Sequence, residues 1–146
     1  MRFVAVIVIC VAGLTGCISA VPPSLEVVGA ELTQESPQGA RVEVAVVMSN
    51  PNDVAIQLPE ASYTLSVADA GSYAYVEIPA RVLGPKGVQA IRLPAAIQTD
   101  GQALSGKSWE INGSVTYSPE NYLRSFLTET GIPLPLVLFS GKGVLE

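Results

Sequence analysis

Apolar and polar residues alternate along several short stretches of this chain, which is the pattern of β-strands with one buried face. The clearest stretch is Arg41–Ser49, whose alternate positions are apolar: Val42, Val44, Val46 and Met48. Similar patterns predict six more strands: Leu25–Thr33, Val54–Leu58, Ser62–Ala68, Tyr73–Arg81, Lys86–Leu93 and Ser108–Tyr117. Residues that favour turns separate these segments. The chain is therefore predicted to form an all-β domain, a sandwich or a barrel of antiparallel strands.

A helix is predicted at Pro119–Thr130, where apolar residues recur at helical spacing. Ser118 can cap its N-terminus, Pro119 suits the first turn, and Gly131 can end it. A second, shorter helix is expected within Ile97–Ser105. The fold class is thus all-β with one or two short helices.

The final stretch, Ile132–Leu145, is apolar and contains Pro133 and Pro135, so it is predicted to be an edge strand. Core packing explains its apolar residues most simply. An exposed part of this strand would be the first candidate for a binding surface.

The N-terminus has the order of a bacterial lipoprotein signal. Arg2 precedes an apolar stretch, Phe3–Val11, and the run Leu14-Thr15-Gly16 leads to Cys17. The apolar stretch is shorter than the roughly 20 residues of a spanning helix and has the length of a secretory signal. We expect cleavage before Cys17 and lipid attachment to its thiol. An ordinary secretory signal with an incidental cysteine, or a buried strand, would explain the same pattern.

The expected organisation has three parts: a signal peptide at 1–16, a lipidated Cys17 with a tether to residue 24, and one β-sandwich domain at 25–146. Cys10 leaves with the signal peptide, so no disulfide is expected. The expected location is the bacterial cell envelope. Because Ile18 follows the cysteine, the outer membrane is expected in a Gram-negative cell, on its periplasmic side.

Composition argues against catalysis and against nucleic acid. The formal charge is −5, and it becomes −6 when Arg2 leaves with the signal peptide. No basic cluster is present to bind phosphates, and membrane contact would rest on the acyl anchor. The chain has no histidine, which removes the usual general base and the commonest metal ligand. We therefore expect no enzyme, no cofactor and no metal.

One segment matches the phosphate-loop pattern G-x-x-x-x-G-K-S. It runs from Gly101 to Ser108 and includes Lys107. A true phosphate loop follows a strand and opens a helix, whose N-terminal amides bind the phosphates. The residues after Ser108 alternate like a strand, so we expect a plain turn and no nucleotide.

Asn50-Pro51-Asn52 follows the clearest strand and marks a turn. A valine-rich strand running into Asn-Pro-Asn, then Val54–Leu58 and a strand with Tyr63, resembles the WHy (water stress and hypersensitive response) domain of type 2 late embryogenesis abundant (LEA) proteins. The ending is also similar to the last hairpin of that family. The resemblance spans about residues 25–145, and its specific motif is Asn50-Pro51-Asn52.

The resemblance implies a β-sandwich of about seven strands, fibronectin-III or immunoglobulin-like, and a non-catalytic role in protection against stress or desiccation. The signature turn of the family carries over to Asn50, Pro51 and Asn52. Its favoured role is to hold two strands in register, and ligand contact is the less favoured alternative. Protein clients are the expected partners. The alternative is an accessory module that docks one envelope complex through an edge strand or the 119–130 helix.

Overall fold

The computed structural model describes residues 21–77, 81–119 and 129–146. These residues form antiparallel sheets that pack face to face, so the predicted all-β sandwich is confirmed. The strands are β1 (Ser24–Glu35), β2 (Gly39–Ser49), β3 (Ile56–Leu58), β4 (Ala61–Val67), β5 (Gly71–Glu77), β6 (Arg81–Leu83), β7 (Val88–Gln98), β8 (Ser108–Thr116), β9 (Ser118–Pro119) and β10 (Leu136–Val144).

Two main sheets make up the sandwich. One has the strand order β1-β2-β7, and the other has the order β10-β8-β4-β5. These are seven strands, the number implied by the resemblance. A third, small sheet has the order β6-β3-β9. β1 also lies against β10, and β5 lies near β7, so the two sheets meet along both sides.

Alternation along the strands supplies the core. In β2 every second side chain is fully buried, and the residues between them are partly exposed. The facing sheet contributes buried side chains from β4, β8 and β10: Tyr63, Leu65, Val67, Trp109, Ile111, Val115 and Phe139. Burying an aliphatic or aromatic side chain of this size stabilises the fold by about 1.5–3 kcal/mol. The inner faces of the two sheets therefore form one hydrophobic core.

A hydrogen bond joins the two main sheets across the sandwich. The Tyr63 hydroxyl of β4 donates a hydrogen bond to the carbonyl oxygen of Pro94 in β7. Pro94 fits in β7 because this strand has a neighbour on one side only in its sheet, so a missing N–H can face outward. The bond fixes the two sheets relative to each other at their centre.

The sandwich has two ends, named here by their loops. The proximal end carries Val21 and the loops 50–55, 83–87 and 131–135. The distal end carries the loops 36–38, 68–70 and 99–107. The small sheet closes the proximal end, since Ile56, Leu58 and Leu83 are all buried.

The predicted helix within Ile97–Ser105 is wrong. β7 continues to Gln98, and turns follow. Asp100 and Gly101 have φ values of 45° and 79°, in the left-handed region that stops a right-handed helix. The Thr99 hydroxyl donates to the carbonyl oxygens of Ser36 and Pro37, which holds this loop on the β1–β2 turn.

The helix predicted at Pro119–Thr130 falls largely on residues 120–128, which lie outside the described residues. Its expected start is a strand instead, because Ser118 and Pro119 pair with β3 as β9. At its expected end Glu129 and Thr130 are helical, and Gly131 has a φ of 69°, as expected of a glycine that ends a helix.

The predicted strand Tyr73–Arg81 is divided between two sheets. β5 ends at Glu77 and pairs with β4, whereas Arg81 begins β6, which pairs with β3. The edge strand predicted at Ile132–Leu145 is confirmed as β10, at the border of the four-stranded sheet.

Candidate functional site

The Asn50 side chain lies at the centre of the proximal end, where the Asn-Pro-Asn turn leaves β2. It is only 1% exposed. Its amide nitrogen donates to three carbonyl oxygens, those of Val54 (2.8 Å), Gly84 (2.9 Å) and Leu83 (3.3 Å). One side chain thus ties the loop after β2 to the loop between β6 and β7.

The Asn50 side-chain oxygen stabilises the turn itself. It accepts hydrogen bonds from the Asn52 backbone N–H at 3.0 Å and from the Asn52 side-chain amide at 2.9 Å. The first of these bonds forms the local Asx turn expected of such a sequence. The Asn50 backbone N–H also donates to the Gly87 carbonyl at 2.9 Å. Protein groups therefore occupy the polar atoms of the Asn50 side chain.

Asn52 holds the chain where it approaches β1. Its side-chain oxygen accepts from the Val21 N–H, and its side-chain nitrogen donates to the Val21 carbonyl, both at 2.8 Å. This pair of bonds imitates the pairing of two strands. Val21 was assigned to the tether, and the structure places it against the proximal end.

Lys86 completes the turn network. Its backbone N–H donates to the Asn52 carbonyl at 2.9 Å. Its ammonium group donates to the Pro51 carbonyl at 2.6 Å and forms an ion pair with Asp53 at 3.3 Å. Lys86 has a φ of 50°, a left-handed conformation that costs energy for a side chain with a Cβ. These three contacts stabilise it there.

The proximal end is thus a structural centre built of backbone and amide groups. The sequence identified Asn50, Pro51 and Asn52 as a turn that could hold strands in register. It did not identify Val21, Lys86 or the loop 83–87 as their partners. More than 30 positions separate these partners from the turn, and Gly84-Pro85 indicated only a local turn.

Replacing Asn52 with alanine should release Val21. The variant loses both bonds to Val21 and one to Asn50, and we expect stability to fall by about 1 kcal/mol, since such bonds are partly exposed. Amide hydrogen exchange at Val21 should accelerate, while exchange in β2 stays slow. Asn112→Ala, at an exposed asparagine whose amide bonds only Glu110, is the control. Unchanged exchange at Val21 would contradict the role of Asn52.

Cys17 lies outside the described residues, so its lipid attachment stays a prediction. Among the described residues, no helix combines the length and the apolar character needed to span a bilayer.

The segment that matches a phosphate loop lies at the distal end, between β7 and β8. Ser108 begins a strand, so no helix N-terminus points at this loop. The Lys107 ammonium group donates to the Gln102 side chain at 3.0 Å and lies 3.9 Å from an Asp69 oxygen. The geometry suits a turn, and the absence of nucleotide binding stays a prediction.

A depression of about 660 Å³ lies over the middle of the four-stranded sheet. Its lining side chains are uncharged, with several hydroxyl and amide groups: Ser62, Thr64, Asn112, Ser114 and Ser140. Such a surface can bond water or neutral ligands. It offers no carboxylate or lysine for acid–base catalysis.

The first part of β10 exposes apolar side chains. Leu136 is 55% exposed and Leu138 is 74% exposed, on a strand with a neighbour on one side only in its sheet. Phe139 and Leu145 point inward and are buried. The strand therefore serves both interpretations of the sequence: it completes the core and presents apolar side chains to solvent.

Comparison with known proteins defines the fold. No family model and no curated protein matches the chain. An X-ray structure of a Northeast Structural Genomics Consortium target is 10% identical with a TM-score of 0.60, over 84% of this chain and 86% of that one. The solution structure of an Arabidopsis thaliana protein is 15% identical with a TM-score of 0.59, over 92% and 90%.

A further solution structure is that of a candidate LEA protein. It is 12% identical with a TM-score of 0.57, over 84% of this chain and 69% of that one. At such identities the likeness concerns the fold alone. The described part of this chain is an antiparallel β-sandwich with an LEA-like fold.

Proposed function

We propose that this protein is a lipid-anchored, non-catalytic component of the bacterial cell envelope that protects other proteins during water stress. Cys17 carries the lipid, and the LEA-like sandwich contacts partly unfolded or dehydrated clients. The N-terminal pattern supports the anchor, and the LEA-like fold supports the protective role.

The observation that carries the client-binding role is the exposed apolar side of β10. Leu136 and Leu138 are exposed on β10, where an apolar segment of a client chain can pack against them. Pro135 precedes the strand and Lys142 lies within it, and both residue types limit permanent edge-to-edge association. The edge is thus suited to brief contacts with many chains.

A drying assay tests this role. The protein should preserve the activity of a labile enzyme through drying and rehydration better than an inert protein of equal size. A variant with Leu136→Ser and Leu138→Ser should protect less. The matched control is Val28→Ser, which removes an exposed apolar side chain from β1. Equal protection by the inert protein would contradict the proposal.

The same edge supports a second candidate function, an accessory module that docks one envelope complex. Crosslinking from envelopes prepared with and without water stress separates the two. A broad set of partners that grows under stress supports the protective role. One stoichiometric partner under both conditions supports the docking module.

The anchor has its own test. Cys17→Ser removes the thiol that accepts the diacylglyceryl group, so the variant should move from the membrane fraction to the soluble fraction. Two or three acyl chains give stable attachment at about 0.8 kcal/mol per buried methylene, so the shift should be nearly complete. Unchanged membrane partitioning of the variant would contradict lipid attachment at Cys17.

A further inference from the structure

The two ends of the sandwich differ in polarity. Exposed apolar side chains lie at the proximal end: Val21 (54% exposed), Val54 (40%), Val82 (49%) and Ile132 (49%). Among the described residues, Val144 (58% exposed) is an exposed large apolar side chain at the distal end, and none lies in the three distal loops. The distal end carries carboxylates at Glu35, Asp69, Asp100 and Glu146, with Lys107 next to Asp69.

Charged residues lie at the proximal end as well. Asp53 is paired with Lys86, and Arg81 is exposed, while Glu60, Glu77 and Glu129 also lie at this end. Val82 lies on the outer side of the small sheet, whose other side closes the core. The apolar side chains therefore border the end of the sandwich that the small sheet closes.

Val21, the first described residue, lies at this same end. Its two hydrogen bonds with Asn52 hold it there. Four residue steps separate Val21 from Cys17, a reach of about 14 Å at most. β2 has 11 residues, so the distal end is about 35 Å away along the strands.

We infer that the proximal end is a lipid-contacting surface, with Val21, Val54, Val82 and Ile132 entering the polar–apolar boundary of the bilayer and the distal end facing away. This inference rests on the proposed lipid anchor and adds a second contact to it. Apolar side chains next to a membrane lower their free energy when they enter that boundary.

Labels at the two ends test the orientation. The lipidated protein is placed in phosphatidylcholine vesicles that contain a brominated lipid, which quenches fluorescence within the bilayer. The mature chain has no free thiol, so a single cysteine can carry the fluorophore. Val82→Cys and Ile132→Cys report on the proximal end, and Ala103→Cys and Val144→Cys report on the distal end.

We expect quenching of about twofold or more at the two proximal labels and almost none at the two distal labels. Equal quenching at both ends, or none at either, in protein that sediments with the vesicles would overturn the inference while the anchor stands. Protein that fails to sediment with the vesicles would overturn the anchor and the inference together.

A second comparison measures the apolar contribution. With the label at Val54→Cys, the change Val82→Ser combined with Ile132→Ser should reduce quenching markedly. Val144→Ser, at a distal residue that is 58% exposed, should leave it unchanged. Equal quenching in all three proteins would overturn the role of these side chains in lipid contact.

Discussion

Asn50→Ala should destabilise the domain by about 3 kcal/mol. The change removes a buried side-chain amide that donates to three carbonyl oxygens, and it removes the side-chain oxygen that accepts from the Asn52 N–H. A buried polar group without a partner costs about 1–3 kcal/mol, and water reaches only part of this site. Urea unfolding followed by tryptophan fluorescence measures the loss, since Trp109 lies in the core.

Asn112→Ala is the matched control for this prediction. Asn112 is exposed and its side-chain amide donates to Glu110, so its loss should change stability by less than about 0.5 kcal/mol. Similar losses in the two variants would contradict a special role for Asn50.

Asn50→Asp adds a pH test. The new carboxylate would face three carbonyl oxygens, which disfavours its charged form and raises its pKa in the folded protein above the ordinary value of an aspartate. The folded state then binds the proton more tightly than the unfolded state. The stability of this variant relative to the wild type should therefore fall as pH rises from the ordinary pKa of aspartate through the raised one.

Gly113→Val should destabilise the domain by about 3 kcal/mol through overpacking. Gly113 lies in β8 between Phe139 of β10 and Tyr63 of β4. A Cβ there would lie 2.6 Å from Cε1 of the Phe139 ring and 2.7 Å from the Ser62 carbonyl oxygen. The Phe139 ring packs over β8 at Gly113, where the glycine has no side chain. A valine side chain at this position would displace the ring. Thermal unfolding measures the effect.

Gly29→Val is the control, since a Cβ at Gly29 in β1 has no atom within 4 Å. Its stability should stay within about 0.5 kcal/mol of the wild type. Combining Gly113→Val with Phe139→Ala should cost less than the sum of the two single changes, because the second removes the clash of the first. Strict additivity would show that the ring is not the obstacle.

Local patterns were sufficient to predict most strands. β2 and β8 alternate cleanly because each has one face in the core, and alternation needs no knowledge of the partner strand. The change of sheet between Glu77 and Arg81 was not predictable in this way. The strand-like pattern continues into Arg81–Leu83, but these residues pair in a different sheet. Which strands pair is decided by residues that are distant in the sequence.

The helix expected within Ile97–Ser105 failed for a related reason. Its composition permits a helix, but the left-handed Asp100 and the bond from Thr99 to the Ser36 carbonyl fix a turn. That bond joins positions 63 residues apart. Helix propensity is a weak preference that such tertiary contacts override.

The candidate site was predictable only in part. The Asn-Pro-Asn motif identified the turn, and the resemblance to LEA proteins implied the fold. The side-chain clamp of Asn52 on Val21 could not be derived from spacing, because any exposed backbone can accept such bonds. The polarity of the two ends likewise depends on which loops the topology gathers at each end.

The position of Leu145 governs when the domain can fold during synthesis. This side chain is 1% exposed, its N–H donates to the Lys107 carbonyl, and its carbonyl accepts from the Gly106 N–H, both at 2.9 Å. β10 also has to pair with β8 along its whole length. Leu145 is thus part of the core, so folding cannot finish until this residue has left the ribosome.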